Sequence, residues 1–183
     1  MIATTTSHVA LLRGINVGGN NLIRMPALAD AFADAGYGNV RTYIQSGNVL
    51  FTTPGAAVSQ LEEELERMLD ERFGLRIRVV TRSRAQLADT VASAPQDHGS
   101  PQLRSDVIFL KHPLTVDAAL AAFPDLREGV DSVAPGPGAI YFSRVDAEAS
   151  RSRLSKIVGT PNYQHMTIRN WRTTTRLLDL LAE

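Results

Sequence analysis

Apolar runs of strand length and amphipathic stretches of helix length alternate along this chain in an order that few folds accommodate. Val9 to Leu12 is a short apolar run closing at Arg13-Gly14, the pattern of a buried strand. Pro26 stands where a first helical residue belongs, Leu28, Ala31, Phe32 and Ala35 recur at helical spacing, and Gly36 stops the run. Val40 to Ile44 and Val49 to Thr53 read as strands around Gln45-Ser46-Gly47-Asn48, because Gly and Asn accept the positive φ of a tight hairpin. Val58, Leu61, Leu65, Met68, Leu69 and Phe73 mark one face of a helix ending at Gly74. Glu62-Glu63-Glu64 reads as the solvated side of that helix. Arg76 to Val80 then alternates polar and apolar, as a half-exposed strand does. The order is β-α-β-β-α-β, the split βαβ or ferredoxin-like arrangement.

Ser83 and Gln86 have capping-box spacing for a connecting helix. Ser93 to Leu103, with Pro95, Gly99 and Pro101, reads as a linker. The same order then begins again. Val107 to Leu110 is a strand, and Thr115 caps a helix containing Leu120 and Phe123. Val130 to Val133 and Ile140 to Val145 flank Pro135-Gly136-Pro137-Gly138. A helix over Leu154 to Val158 and a strand over Gln164 to Ile168 complete the set. Asn170 caps a last helix bearing Leu177, Leu178 and Leu181. We therefore expect an α+β fold of tandem ferredoxin-like pseudo-repeats with a C-terminal helix. The expected division is a half over 1–81, a connecting helix and linker over 82–104, and a second half with the C-terminal helix over 105–183.

Charge and cysteine content narrow the function classes. Lys+Arg and Asp+Glu both number 19 in 183 residues, 44% hydrophobic, so neither disorder nor a uniformly basic nucleic-acid surface fits. The central strands expected in the first half lack clustered aromatics, which makes RNA binding a weak reading. A nucleic-acid partner stays open only through a local basic patch such as Arg151, Arg153 and Lys156. No apolar run reaches 18 residues, and Met1 to Ser7 lacks a basic segment followed by an apolar one, so we expect neither a membrane span nor a signal peptide. Cys is absent, which excludes disulfides and thiolate chemistry and suits a cytoplasmic protein. His8, His98, His112 and His165 have no ligand spacing, so no metal site is expected. Neither the Walker nor the dinucleotide glycine pattern occurs, and no cofactor is expected.

Three polar segments lie at element ends. The loop Gly14 to Asn21 follows a strand and precedes a helix, where backbone N–H groups gather an anion; its glycines and asparagines equally serve turns. Arg169, Asn170, Trp171, Arg172 and Thr173 start the last helix, where guanidinium groups and a helix N-terminus suit carboxylate or phosphate. The competing explanation is a core Trp with surface ion pairs. Ser152 and Lys156 share a helical face, but a lone i,i+4 pair does not make a nucleophile.

Ala10-Leu11-Leu12-Arg13-Gly14-Ile15-Asn16-Val17-Gly18-Gly19, then Thr42-Tyr43-Ile44-Gln45-Ser46-Gly47-Asn48-Val49, and late Thr167-Ile168-Arg169-Asn170-Trp171 resemble the bacterial family called domain of unknown function 1697. The resemblance runs from about residue 8 to residue 181. It implies an α+β fold of ferredoxin-like units and no established activity. Ile168 stands where Ala is common, and Asn21-Leu22-Ile23-Arg24 replaces a stretch usually carrying Lys. We expect the three signatures to converge on one ligand site of Arg13, Asn16, Gly18, Gly19, Gln45, Ser46, Asn48, Arg169 and Asn170. Its occupant would be a small polar or phosphorylated molecule. The alternatives are an enzyme acting on an anionic substrate, a protein–protein adaptor using an open sheet face, and a purely structural role in buried hydrogen bonds.

Overall fold

The computed structural model describes residues 5–55 and 58–183; Met1 to Thr4 and the side chain of Val58 lie outside the described residues. In chain order the elements are β1 Thr5–Leu12, α1 Met25–Asp34, β2 Gly38–Tyr43, β3 Asn48–Pro54, α2 Val58–Phe73, β4 Val79–Ser83 and α3 Arg84–Ala92. They continue as β5 Leu103–Leu110, α4 Val116–Ala121, β6 Asp131–Gly136, β7 Ala139–Val145, β8 Met166–Asn170 and α5 Trp171–Ala182. The fold is α+β, with two four-stranded antiparallel sheets ordered β2-β3-β1-β4 and β6-β7-β5-β8. The chain forms two compact units, one running to Leu87 and taking in Leu177–Glu183, the other Ala88–Arg176.

In the first unit, side chains alternate across the sheet. Ala10, Leu12, Val49, Phe51 and Val79 share one core with Leu28 and Phe32 of α1 and with Leu61, Leu65 and Leu69 of α2. Phe32, Tyr37 and Phe51 meet at ring separations of 5.0–5.8 Å. The opposite face, carrying Val9, Leu11, Leu50 and Val80, is buried as well. The end of α5 belongs to this unit. Arg41 on β2 donates to the Leu180 carbonyl at 2.6 Å and pairs with Glu183 at 3.4 Å, a cation where the helix dipole is negative.

The edge strand β4 corrects two expectations. It lies three residues later than the sequence pattern suggests, and Val79 to Arg82 are buried rather than half exposed. Nor is Glu62 on a solvated face: it is fully buried. Glu66 Oε1 accepts from the Val79 N–H and Glu62 Oε1 from the Thr81 N–H, each at 2.9 Å. The spacing explains the match, since four helical residues rise about 6 Å and two strand residues about 6.7 Å. Ser83 N–H continues the series to Gln86 Oε1 at 2.9 Å, and Gln86 N–H returns to Ser83 Oγ at 3.2 Å. That pair is the capping box expected from sequence.

In the second unit Ile108, Leu110, Ile140, Phe142, Ile157 and Met166 form the core. Thr115 Oγ1 accepts from Ala118 N–H at 3.2 Å, and Asn170 Oδ1 from Thr173 N–H at 2.8 Å, so both expected caps are made. β8 lies two residues later than expected. The expected helix over Leu154 to Val158 is a 3-10 turn, Leu154–Gly159, between two others at Asp146–Arg151 and Tyr163–His165. A period of three apolar residues is too short to hold an α-helix. Asp131 Oδ2 takes the Arg153 N–H at 2.9 Å, tying this segment to β6 instead. Among the described residues no helix is long and apolar enough to cross a membrane.

Candidate functional site

Two of the three polar segments meet in the first unit. Asn16, at φ 54°, uses its side-chain amide as a clamp. Its Nδ2 donates to the Ile23 carbonyl at 2.9 Å and the Gln45 carbonyl at 3.0 Å, while its Oδ1 accepts from Ile23 N–H at 2.8 Å. Leu12 N–H donates to the Gly47 carbonyl at 2.8 Å, joining strand end to hairpin. Gly18 and Gly19, both at positive φ, form the tip of a turn closed by Asn20 N–H to Val17 O at 3.0 Å. Asn48 is fully buried and donates to the Tyr43 carbonyl and to Ser46 Oγ. Asn16 and Asn48 thus spend their amides on the loops themselves, on backbone groups and the Ser46 hydroxyl. Gly18, Gly19 and Gln45 are exposed and Arg13 and Ser46 half-buried. Around them stand three aliphatic side chains open to water, Val17 (63% exposed), Leu22 (71%) and Ile44 (47%).

The third segment divides across its sheet. Arg169 pairs in register with Val107 and Asn170 with Asp106, so the two side chains project to opposite faces. Arg169 is buried, donating from Nη1 to Thr167 Oγ1 and the Ile168 carbonyl, each at 2.9 Å. Burial pulls it down to about 10, so it stays charged at neutral pH. Asn170 lines a cleft of about 470 Å³ with Asp106, Arg144, Trp171 and Arg172, where β5 runs beyond the end of β8. Asp106 and Arg144 pair at 3.0 Å. Burial raises the Asp106 carboxyl above its ordinary value, and Arg144 opposes part of that rise. Arg172 is exposed. Arg104 and Arg144 also line a second, larger cleft of about 750 Å³ under the 3-10 turns. Sequence reasoning missed Arg104, Asp106 and Arg144. The only signal available was their alternation on facing strands.

Behind the smaller cleft runs a buried polar chain. Gly99 N–H donates to Ser105 Oγ at 2.8 Å, Ser105 Oγ lies 2.9 Å from Ser143 Oγ, and that oxygen 3.1 Å from His98 Nδ1. The His98 ring stands edge-on to Trp171, centroids 4.7 Å apart, and its Nε2 has no partner. Burial lowers His98 below its ordinary 6.5, with Asp97 opposing, and burial likewise lowers His8, with the Thr6 carbonyl opposing. The unfolded chain therefore binds protons that the fold resists, and stability falls as pH drops below about 6.5. The melting temperature at pH 5.5 should lie below that at pH 7.5. His98→Phe should narrow the gap, leaving the His8 share. An equal gap in both proteins would contradict this. Among the described residues no group of three or more His, Asp or Glu could hold a metal ion.

A family model described as a protein of unknown function, DUF1697, matches residues 5–141. A search of the curated proteins finds no match. Among solved structures, the conserved bacterial protein SP0830 from Streptococcus pneumoniae is similar at a TM-score of 0.86 and 27% identity, over 97% of this chain and 99% of that one.

Proposed function

The chain belongs to the DUF1697 family of proteins of unknown function, and from that footing we propose that it binds a small polar anion, phosphorylated or carboxylated, in the smaller cleft of its second unit. The observation that carries this reading is the lining itself. Arg104, Arg144 and Arg172 stand there with Asn170 and the half-buried Trp171, at the start of α5. Guanidinium groups suit planar oxyanions, and the start of a helix adds the positive end of its dipole. Asp106 and Asp146 answer Arg144 and Arg104, leaving one positive charge in excess at Arg172. Asn16 and Asn48 act in this reading as the frame of the first unit. Arg13, Gly18, Gly19, Gln45 and Ser46 form its polar surface. Arg169 serves the sheet from behind.

A second reading is a protein–protein adaptor, favoured by the three exposed aliphatics Val17, Leu22 and Ile44. At the level of fold, we read each unit as a ferredoxin-like half. The support is the matching strand orders, and the match of Leu12 N–H to Gly47 O in one unit with Leu110 N–H to Gly138 O in the other.

Inorganic phosphate and glycerol phosphate are suitable probes. At 100 times its dissociation constant a ligand adds about 2.7 kcal/mol, a rise of about 5–10 °C for a chain of this size. Arg172→Ala should weaken binding about tenfold while leaving the ligand-free melting temperature unchanged. Absence of any shift with either probe would remove the reading in favour of the adaptor.

A further inference from the structure

We propose that the larger cleft of the second unit seats the aliphatic tail of the same anion, so that the ligand is amphipathic, an alkyl or acyl chain bearing a phosphate or carboxylate. This rests on the anion reading above. In the first unit the chain from β3 to β4 forms the sixteen-residue α2, whose Leu61, Leu65 and Leu69 are buried in the core against their sheet. In the second unit the chain from β7 to β8 makes only 3-10 turns, and a cleft of about 750 Å³ is left over the sheet. That size is in the range of small-molecule sites.

The walls are of two kinds. Leu154, Tyr163 and Ile168, at the margin of the second core, give one side an apolar surface. Val158 also lines the cleft and is 60% exposed, an aliphatic group for which the fold provides no cover. At the other end stand Arg104 and Arg144, which line the smaller cleft too. The guanidinium pair is therefore common to the cleft holding Asn170, Trp171 and Arg172 and to the larger one, where Leu154, Val158 and Ile168 stand alongside Asp146 and the serines of the turns. A ligand whose head lies on those arginines can lay its tail along the aliphatic side chains of the larger cleft, which gain by losing water.

Titration calorimetry of the full chain with inorganic phosphate and with ethyl, butyl, hexyl and octyl phosphates, all below micelle-forming concentrations, tests this. Each methylene seated in the cleft should tighten binding about fourfold. Val158→Asn should weaken octyl phosphate several-fold and leave inorganic phosphate unchanged. A series flat from ethyl to octyl, with phosphate still bound and still sensitive to Arg172→Ala, would overturn the tail seat and spare the anion reading. No binding of any phosphate would overturn both. The matching alkyl alcohols separate the remaining case: a rise with alcohols alone would keep the apolar seat and overturn the anionic head.

Discussion

Glu62→Ala should lower the melting temperature by about 6–20 °C, whereas Glu63→Ala, one residue along the same helix, should leave it nearly unchanged. Glu62 is fully buried and its carboxylate takes the Thr81 N–H of β4 at 2.9 Å. It also holds up the charge of the adjacent buried Arg82, which burial pulls down. Truncation leaves a buried N–H without its acceptor and a buried guanidinium without a compensating charge. Breaking a buried pair in this way costs about 3–5 kcal/mol, and about 2–4 °C accompanies each kcal/mol in a chain of this length. Glu63 is exposed, and exposed substitutions stay within about 0.5 kcal/mol. Glu62→Gln keeps an acceptor but not the charge and should fall between. Thermal melts by circular dichroism decide it; equal effects at 62 and 63 would refute the buried role.

Gly47→Ala should be comparably damaging, about 4–20 °C, for a different reason. Gly47 has φ 86° and lies against the strand end that it helps to close. A Cβ there would stand 2.7 Å from Ile15 Cδ1 and 2.9 Å from Leu12 Cβ. Both neighbours are buried core residues, 0–1% exposed. The left-handed backbone costs a non-glycine residue about 1–2 kcal/mol, and overpacking adds about 1–3 kcal/mol. Gly14 has φ 68° but open space where its Cβ would be, so Gly14→Ala should show the backbone cost alone. A Gly47→Ala loss no larger than that of Gly14→Ala would sink the packing account.

What could be read from sequence was whatever depends on near neighbours in the chain. The full extent of α2, the Ser83–Gln86 box and the caps at Thr115 and Asn170 are local matters of spacing and side-chain chemistry, and each is present. The role of Glu62 is not legible in the sequence because helical periodicity identifies a polar face without saying what lies across from it. Here the edge of a strand does, and a carboxylate is what that edge needs. Leu154, Ile157 and Val158 have helical spacing, yet the backbone around them is pulled towards Asp131, a partner over twenty residues distant. The candidate cleft was half legible. Asn170 and Arg172 could be suspected from a helix start, whereas Arg104, Asp106 and Arg144 come together only through the register of β5 against β7.

The glutamates of α2 have a consequence for what this molecule avoids. A strand at the border of a sheet offers bare amides on which another chain can grow, the route to strand exchange and fibrils. Along β4 the outward N–H groups of Val79, Thr81 and Ser83 are already occupied by side chains of the same molecule. At the opposite border, β2 breaks register between Gly38 and Arg41, an irregularity that blunts templating. At β4 the first sheet is closed to recruitment, and α2 acts there as a guard against self-propagation as much as a wall of the core.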